Sequence, residues 1–379
     1  MYKRIINLNL KNSFFLWGPR QTGKSTILRE RFPDALFIDL LKSEMRTELM
    51  TKPQRLREIC EARPANQLVI IDEVQKVPEL LDEVHSLIES RKQKFILVGS
   101  SARKLKKAHA NMLGGRAWTK ELRPLCWPEL GSQFELQRAL NHGLLPRIYD
   151  SENYFEDLRA YNSVYLKEEI FDEGLSRNLP AFSQFLELAS LSDTEQVEYS
   201  TFASDVGVSS PTVKSYFEIL QDTLIGEFLP IYRKRPKRRL SLTPKFYFFD
   251  VGIVNFLARR RQLEPGSETW GKAFENFIFN EIRAYKSYRS PDLPISFWRV
   301  KKETEVDFIL GDMEIAIEVK GRANIREDHL KGLRLLKEDY PNIKRRIVVS
   351  MERIKRKTVD SIEVLPYHDF LEELWSWKL

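Results

Sequence analysis

Gly18-Pro19-Arg20-Gln21-Thr22-Gly23-Lys24-Ser25 sets the frame for this chain. The run fits G-x-x-x-x-G-K-[ST], the phosphate-binding loop. Its glycines let backbone N–H groups turn inward around phosphate oxygens with no Cβ in the way. Lys24 brings a positive charge to the β- and γ-phosphates, and Ser25 offers a hydroxyl to Mg²⁺. The flanks agree. Phe14-Phe15-Leu16-Trp17 reads as a buried strand, and Ser25–Arg31 as a helix whose N-terminus faces the phosphates. The nucleotide-contacting stretch is Gly18, Pro19, Arg20, Gln21, Thr22, Gly23, Lys24, Ser25 and Thr26, and the expected cofactors are ATP and Mg²⁺.

Two more apolar runs ending in polar residues suit the same chemistry. Strands are expected at Leu36–Leu40, Leu68–Ile71, Phe95–Val98 and Ala117–Leu122, separated by amphipathic helical stretches. That rhythm argues for an α/β fold with a parallel sheet, whose ligands bind at the carboxyl ends of its strands. Leu68-Val69-Ile70-Ile71-Asp72-Glu73 has the Walker B pattern. Asp72 is placed to help hold Mg²⁺ through water, and Glu73 to polarise the attacking water. With the phosphate loop, these acids point to hydrolysis rather than binding alone. Ser100 follows the Phe95–Val98 strand. Two readings stand: it senses the γ-phosphate, or Ser100 or Ser101 caps the next helix. An arginine that stabilises transition-state charge is expected at Arg116, which follows Gly114-Gly115, or at Arg103. Gln75 recurs in this context without an assigned role.

Gly18–Ser25, Ile71-Asp72-Glu73-Val74-Gln75, Gly99-Ser100-Ser101 and Gly115-Arg116…Leu122-Arg123-Pro124-Leu125 together resemble a prokaryotic family of AAA-type ATPases. In that family a P-loop ATPase precedes a winged helix and a restriction-endonuclease-like domain. The resemblance covers nearly the whole chain and implies nucleotide hydrolysis. One departure is Cys126, where the family has a small polar residue. The implied division is an ATPase domain at 1–127, a helical lid at 128–194, a winged helix at 195–262 and a PD-(D/E)xK nuclease-like domain at 263–379.

The residues support that division. Pro128–Asp193 is helical in pattern, and Leu144–Arg147 and Tyr161–Ile170 look like the family's lid. Tyr199–Phe217 reads as helix-turn-helix: Phe202, Ala203 and Val206 on one helix, Gly207 at the turn, Ser209 or Ser210 as cap, Pro211 in the first turn. Two wing strands are expected at Leu229–Arg233 and Lys245–Phe249. The connecting run Arg233-Lys234-Arg235-Pro236-Lys237-Arg238-Arg239 holds six basic residues in seven positions. This favours DNA backbone contact, with Thr212, Lys214 and Ser215 facing the nucleic acid. The other reading is a packing module or a surface for a protein partner.

Trp270–Ile282 reads as an amphipathic helix, followed by strands at Ile295–Val300, Val306–Leu310 and Ile315–Val319. Residues two apart in a strand share a face, so Glu318 and Lys320 point the same way and Asp307 can join them. Asp307 and Glu318 would hold Mg²⁺, Glu275 would complete its shell, and Lys320 would stabilise the phosphoryl centre. Both a cleaving nuclease and a domain that has lost cleavage match these residues. The Lys344–Val349 run is expected to be the last strand, and Leu371–Trp377 a closing helix.

Composition narrows the partners. A chain of 379 residues holds two or three domains, and 42% hydrophobic with 30% charged residues excludes a disordered polyelectrolyte. The net charge of +7 suits a polyanion. Cys60 and Cys126 have no neighbour at metal-ligand spacing, so no zinc site or disulfide framework is implied, which fits a reducing cytoplasm. No membrane partner and no signal peptide are expected, since no apolar run approaches a span. The leading expectation is an ATPase that engages DNA, with a Mg²⁺-dependent nuclease centre. The alternative is a nucleotide-driven regulatory or assembly switch, self-associating or bound to a protein partner, with a silent nuclease-like domain.

Overall fold

A computed structural model describes residues 2–101, 113–166, 178–233, 243–301 and 304–376. Arg103, Lys167–Ile170 and Lys234–Arg239 lie outside the described residues.

The first unit is a parallel sheet of five strands: β1 (Ser13–Trp17), β2 (Leu36–Asp39), β3 (Val69–Asp72), β4 (Phe95–Gly99) and β5 (Ala117–Glu121). Their order is β2-β3-β4-β1-β5. Every residue of β1, β3 and β4 is buried, because helices cover both faces. Alternate residues feed two cores, as the period of two requires. Phe15, Trp17, Val69, Ile71, Phe95 and Leu97 enter one. Phe14, Leu16, Ile70, Ile96 and Val98 enter the other, with Ile27 and Leu28 from helix Lys24–Arg31. The register sets Trp17 beside Gly99 and Ile71 beside Leu97, so the carboxyl ends of β1, β4 and β3 finish together.

The middle of the chain is helical. Helix Tyr199–Val206 ends at Gly207, whose φ of 72° suits a glycine, and helix Ser210–Asp222 follows. Ser209 is the cap, its side chain accepting from the Thr212 N–H at 3.3 Å. Strands β6 (Gly226–Leu229) and β7 (Lys245–Phe248) pair antiparallel. One apolar core runs from Leu145 to Val254, so helix Leu179–Leu191 packs in the same body as this hairpin.

The last unit has a sheet of six strands in the order β12-β13-β11-β10-β9-β8. The long helix Glu268–Arg289 precedes β8 (Ile295–Lys301), β9 (Thr304–Leu310) and β10 (Ile315–Lys320), which pair antiparallel. β11 (Arg345–Ser350) runs parallel to β10. It is not the last strand: β12 (Arg356–Lys357) and β13 (Glu363–Pro366) follow before helix Tyr367–Trp375. β12 has two residues, both exposed, and β13 has four, three of them buried, held by parallel pairing with β11. Strands this short leave no periodic signal. Among the described residues no helix is long and apolar enough to cross a membrane.

Charged side chains join the units. Arg4, 7% exposed, donates to the Glu129 carboxylate at 2.9 Å and to the Thr22 carbonyl, within the phosphate loop, at 2.6 Å. It also donates to the Arg123 carbonyl at 2.5 Å. Arg123, just past β5, is 2.6 Å from Glu227 on β6, and Arg283 of the long helix pairs with the same carboxylate. Burial raises the Glu227 pKa, but these two guanidinium groups outweigh it and hold it at about 2. Backbone bonds add to the joint: Tyr232 N–H donates to the Phe297 carbonyl at 2.6 Å, and Phe297 N–H to that of Pro230 at 3.0 Å.

Arg4→Ala strands the Glu129 carboxylate in the interior. The expected loss is about 3–5 kcal/mol, the cost of halving a buried ion pair. Urea unfolding measures it, and a loss near zero would mean that Arg4 is not the joint described.

Candidate functional site

The aligned strand ends gather the expected nucleotide groups. Gly18 follows β1, Ser100 follows β4, and Asp72 and Glu73 close β3. Gly23 holds φ 91° at the head of helix Lys24–Arg31, a left-handed conformation that favours glycine. That turn aims the first helical N–H groups at the loop's hollow. Lys24 is buried, and its Nζ donates to the carbonyls of Gly18 at 2.7 Å and Pro19 at 2.9 Å. The ammonium is therefore folded into the loop that a phosphate would fill. Thr22 Oγ1 also donates to the Pro19 carbonyl, at 2.9 Å. Gln21 stands at φ 62° in the same loop. Arg20 and Thr26 flank this hollow in sequence, Thr26 on the exposed side of the helix.

The Ser25 hydroxyl donates to Asp72 Oδ2 at 2.5 Å. A hydroxyl and a carboxylate converging beside the phosphate loop are a hard-oxygen donor pair that fits Mg²⁺. Burial raises the Asp72 pKa, and the Ser25 bond opposes that rise. Glu73 is 8% exposed and has φ 59°. Its Oε2 accepts from Gln75 Nε2 and from Ser100 Oγ, the latter at 3.3 Å. Gln75 Nε2 also donates to Ser100 Oγ at 3.2 Å. Sequence left Gln75 without a role; the fold makes it a hand on the Glu73 carboxylate. Gly99 makes room for this network: a Cβ there would meet the Trp17 ring at 2.4 Å and Gln75 Oε1 at 2.6 Å.

Arg116 is not part of this cluster. It precedes Ala117, which the parallel register sets beside Ser13. That is the amino end of the sheet, four strand residues or about 13 Å from the phosphate-loop end. Arg116 instead pairs with Glu89 at the surface. Within one chain it cannot act on the γ-phosphate.

The second expected cluster comes together around a different cation. Register continued from Ile317 and Phe308 sets Glu318 opposite Asp307. Asp307 Oδ2 accepts the Val319 N–H at 2.8 Å, taking the place of a ladder carbonyl. Lys320 Nζ lies 2.6 Å from Glu318 Oε1. Lys245 of β7, however, sits 3.2 Å from Glu275, 3.1 Å from Glu305 and 3.4 Å from Asp307. Among the described residues no three His, Cys, Asp or Glu side chains group closely enough to hold a metal ion. The expected set of Glu275, Asp307 and Glu318 thus does not fit Mg²⁺ in this arrangement, because an ammonium lies among the carboxylates. Burial and the Asp307 charge raise Glu318 to about 8 and Glu275 to about 7. Burial works against the charge on Lys320, but Glu318 and Asp307 prevail and raise its pKa. Sequence reasoning missed Lys245 and Glu305 as members of this centre. Lys245 carried no local signal, since its carboxylates lie 30 and 62 residues further on.

Residues 11–131 match the AAA domain family. Residues 133–264 and 270–370 match two families described as domains of unknown function. An uncharacterized protein of Mycobacterium tuberculosis is 25% identical over 81% of this chain and 68% of its own length. Uncharacterized proteins of Haemophilus influenzae and Methanocaldococcus jannaschii are 22% and 23% identical over 93% and 96% of this chain, and over 92% and 87% of their own. The Walker-type ATPase PABY2304 of Pyrococcus abyssi superposes with a TM-score of 0.43 and 15% identity, over 64% of this chain and 90% of that one. The AAA match coincides with the parallel sheet and its loop: the chain carries an AAA-type P-loop ATPase domain at residues 11–131.

Lys24→Ala removes the ammonium that a phosphate would attract. Nucleotide affinity should fall by about 1.5–3 kcal/mol, the worth of a charge-assisted hydrogen bond. Titration with a fluorescent ATP analogue reads it, and an unchanged Kd would take Lys24 out of the site.

Proposed function

We propose that the chain binds and hydrolyses ATP and uses the cycle to control its engagement with DNA. One observation carries the hydrolytic part: Ser25 and Asp72 meet at 2.5 Å, and beside them Ser100 and Gln75 hold the Glu73 carboxylate. Lys24 would leave the Gly18 and Pro19 carbonyls for the phosphates, which the loop's N–H groups surround. Ser25 and Asp72 would hold Mg²⁺, which when bound neutralises phosphate charge. Glu73 would orient the water and accept its proton, with Ser100 keeping the carboxylate aimed. Arg116 faces away from its own nucleotide, so it serves hydrolysis only if a second copy supplies it. A homo-oligomer is part of this proposal for that reason.

Glu73→Gln keeps the hydrogen-bonding shape and removes the base. ATP should still bind while turnover drops at least about 100-fold, as for loss of a positioned general base. Hydrolysis at the parental rate in Glu73→Gln would end this assignment.

DNA engagement rests on charge and shape. Helix Ser210–Asp222 leaves Lys214 exposed and Thr212 and Ser215 half-buried, beside the β6–β7 hairpin. The connection between those strands carries the basic run that opens at Arg233. A winged helix-turn-helix of this kind contacts phosphates first, without base readout. Neutralising Arg235, Lys237, Arg238 and Arg239 together should weaken binding and flatten the salt dependence by about four contacts. Filter binding across a salt series decides it, and an identical slope moves the contact elsewhere.

The second reading, a switch whose nuclease-like domain does not cut, is favoured by Lys245 within the carboxylate centre. In the arrangement described, the C-terminal unit is a cleavage-silent partner of the ATPase. A protein partner would then receive the nucleotide signal.

A further inference from the structure

The middle unit reaches into the C-terminal carboxylates with a side chain whose backbone is fixed on both sides. Lys245 opens β7, pairs with Leu229 of β6 and bridges to Gln196 on the other edge. It is 3% exposed. Its ammonium has three donors, and three carboxylates stand ready: Glu305 at 3.1 Å, Glu275 at 3.2 Å and Asp307 at 3.4 Å. Two residues on, Tyr247 shares the strand face and donates to the same Glu275 oxygen at 2.6 Å. β7 thus lays a cation and a hydroxyl across the centre.

The centre still lacks a partner on its far side. Glu318 is 6% exposed, and Lys320 meets only its Oε1. Its Oε2 is buried with no hydrogen-bond partner among the described residues. An orphaned buried carboxylate oxygen facing the Asp307 charge is a costly arrangement, and a cation would relieve it. One half of the centre is filled by a tethered ammonium, and the other half keeps an open oxygen of the kind a hard cation takes.

We propose that Lys245 is the resident cation of the C-terminal carboxylate centre and excludes divalent metal from it, so that the β6–β7 hairpin acts as a plug. A metal shared by Asp307 and Glu318 would lie within a few ångströms of the ammonium, and two cations that close repel in a buried site. Withdrawal of Lys245 frees Asp307 and Glu275 for a divalent ion and gives Glu318 Oε2 its partner. The proposal deepens the silent nuclease-like reading and rests on it for the carboxylates alone.

The test counts Mn²⁺ bound by the full chain, by electron paramagnetic resonance, without nucleotide. Every protein carries Asp72→Asn, so that the phosphate loop does not contribute. Lys245→Met, which keeps the aliphatic stem, should bind about one further Mn²⁺ per chain through hard oxygen ligands. Adding Asp307→Asn should remove that ion, and Lys245→Arg, which keeps a cation, should bind none. Lys245→Met with no added ion overturns the plug. So does an added ion in Lys245→Arg. So does Mn²⁺ already bound with Lys245 intact and lost on Asp307→Asn, and this last comparison stands even if Lys245→Met fails to fold. DNA cleavage is scored separately: an added Mn²⁺ without cutting upholds the plug and removes the nuclease.

Discussion

The phosphate loop is held in place by a buried guanidinium from outside it. Arg4 donates to the Thr22 carbonyl on one side and to Glu129 and the Arg123 carbonyl on the other. Glu129 in turn accepts the N–H groups of Ile5 and Cys126, at 2.9 and 3.3 Å. The phosphate loop, the segment leaving the sheet and the N-terminal segment therefore share one charged joint. Such a joint is a poor source of net stability, because desolvating two ions costs about as much as their attraction returns. It is a source of geometry, because a packing that parted the two ions would leave a buried charge unpaired. The same logic recurs at Glu227 between Arg123 and Arg283, and at Lys245 among its carboxylates. Buried charge thus recurs at the seams of this molecule, beside an apolar core that itself runs across them from Leu125 through Tyr247 to Leu374.

That contrast explains what could be read from the sequence. The five parallel strands were visible because each is a short apolar run with both faces covered, bounded by polar turns. The phosphate loop was visible because its working parts fall within eight consecutive residues. Ser209 as cap and Gly207 as turn were visible because caps are local chemistry. β12 and β13 were not, because each is held by pairing across the sheet rather than by any pattern of its own. Lys245 was read only as the first residue of a strand. Its importance comes from a tertiary contact between two units, which no window of sequence contains.

Arg116 shows the limit from the other side. The glycines before it gave a chemical reason to bring an arginine to the γ-phosphate. Strand direction overrules that reason, since a residue preceding a parallel strand stands at the end away from the ligand. A motif says what a residue can do, and topology decides which site it does it in.

The two centres differ in how their acids are held. Glu73 pays for its position in backbone strain: φ 59° for a non-glycine residue costs of order 1–3 kcal/mol. The turn that imposes it sends the chain directly into Val74–Lys76, which brings Gln75 back onto the Glu73 carboxylate. Strain, a glutamine and a serine thus fix one oxygen of that carboxylate. Asp307 and Glu318 are instead ordinary strand residues, aligned by register and neutralised by lysines. The first arrangement aims a carboxylate beside the phosphate loop. The second pairs its carboxylates with lysines, Asp307 with Lys245 and Glu318 with Lys320.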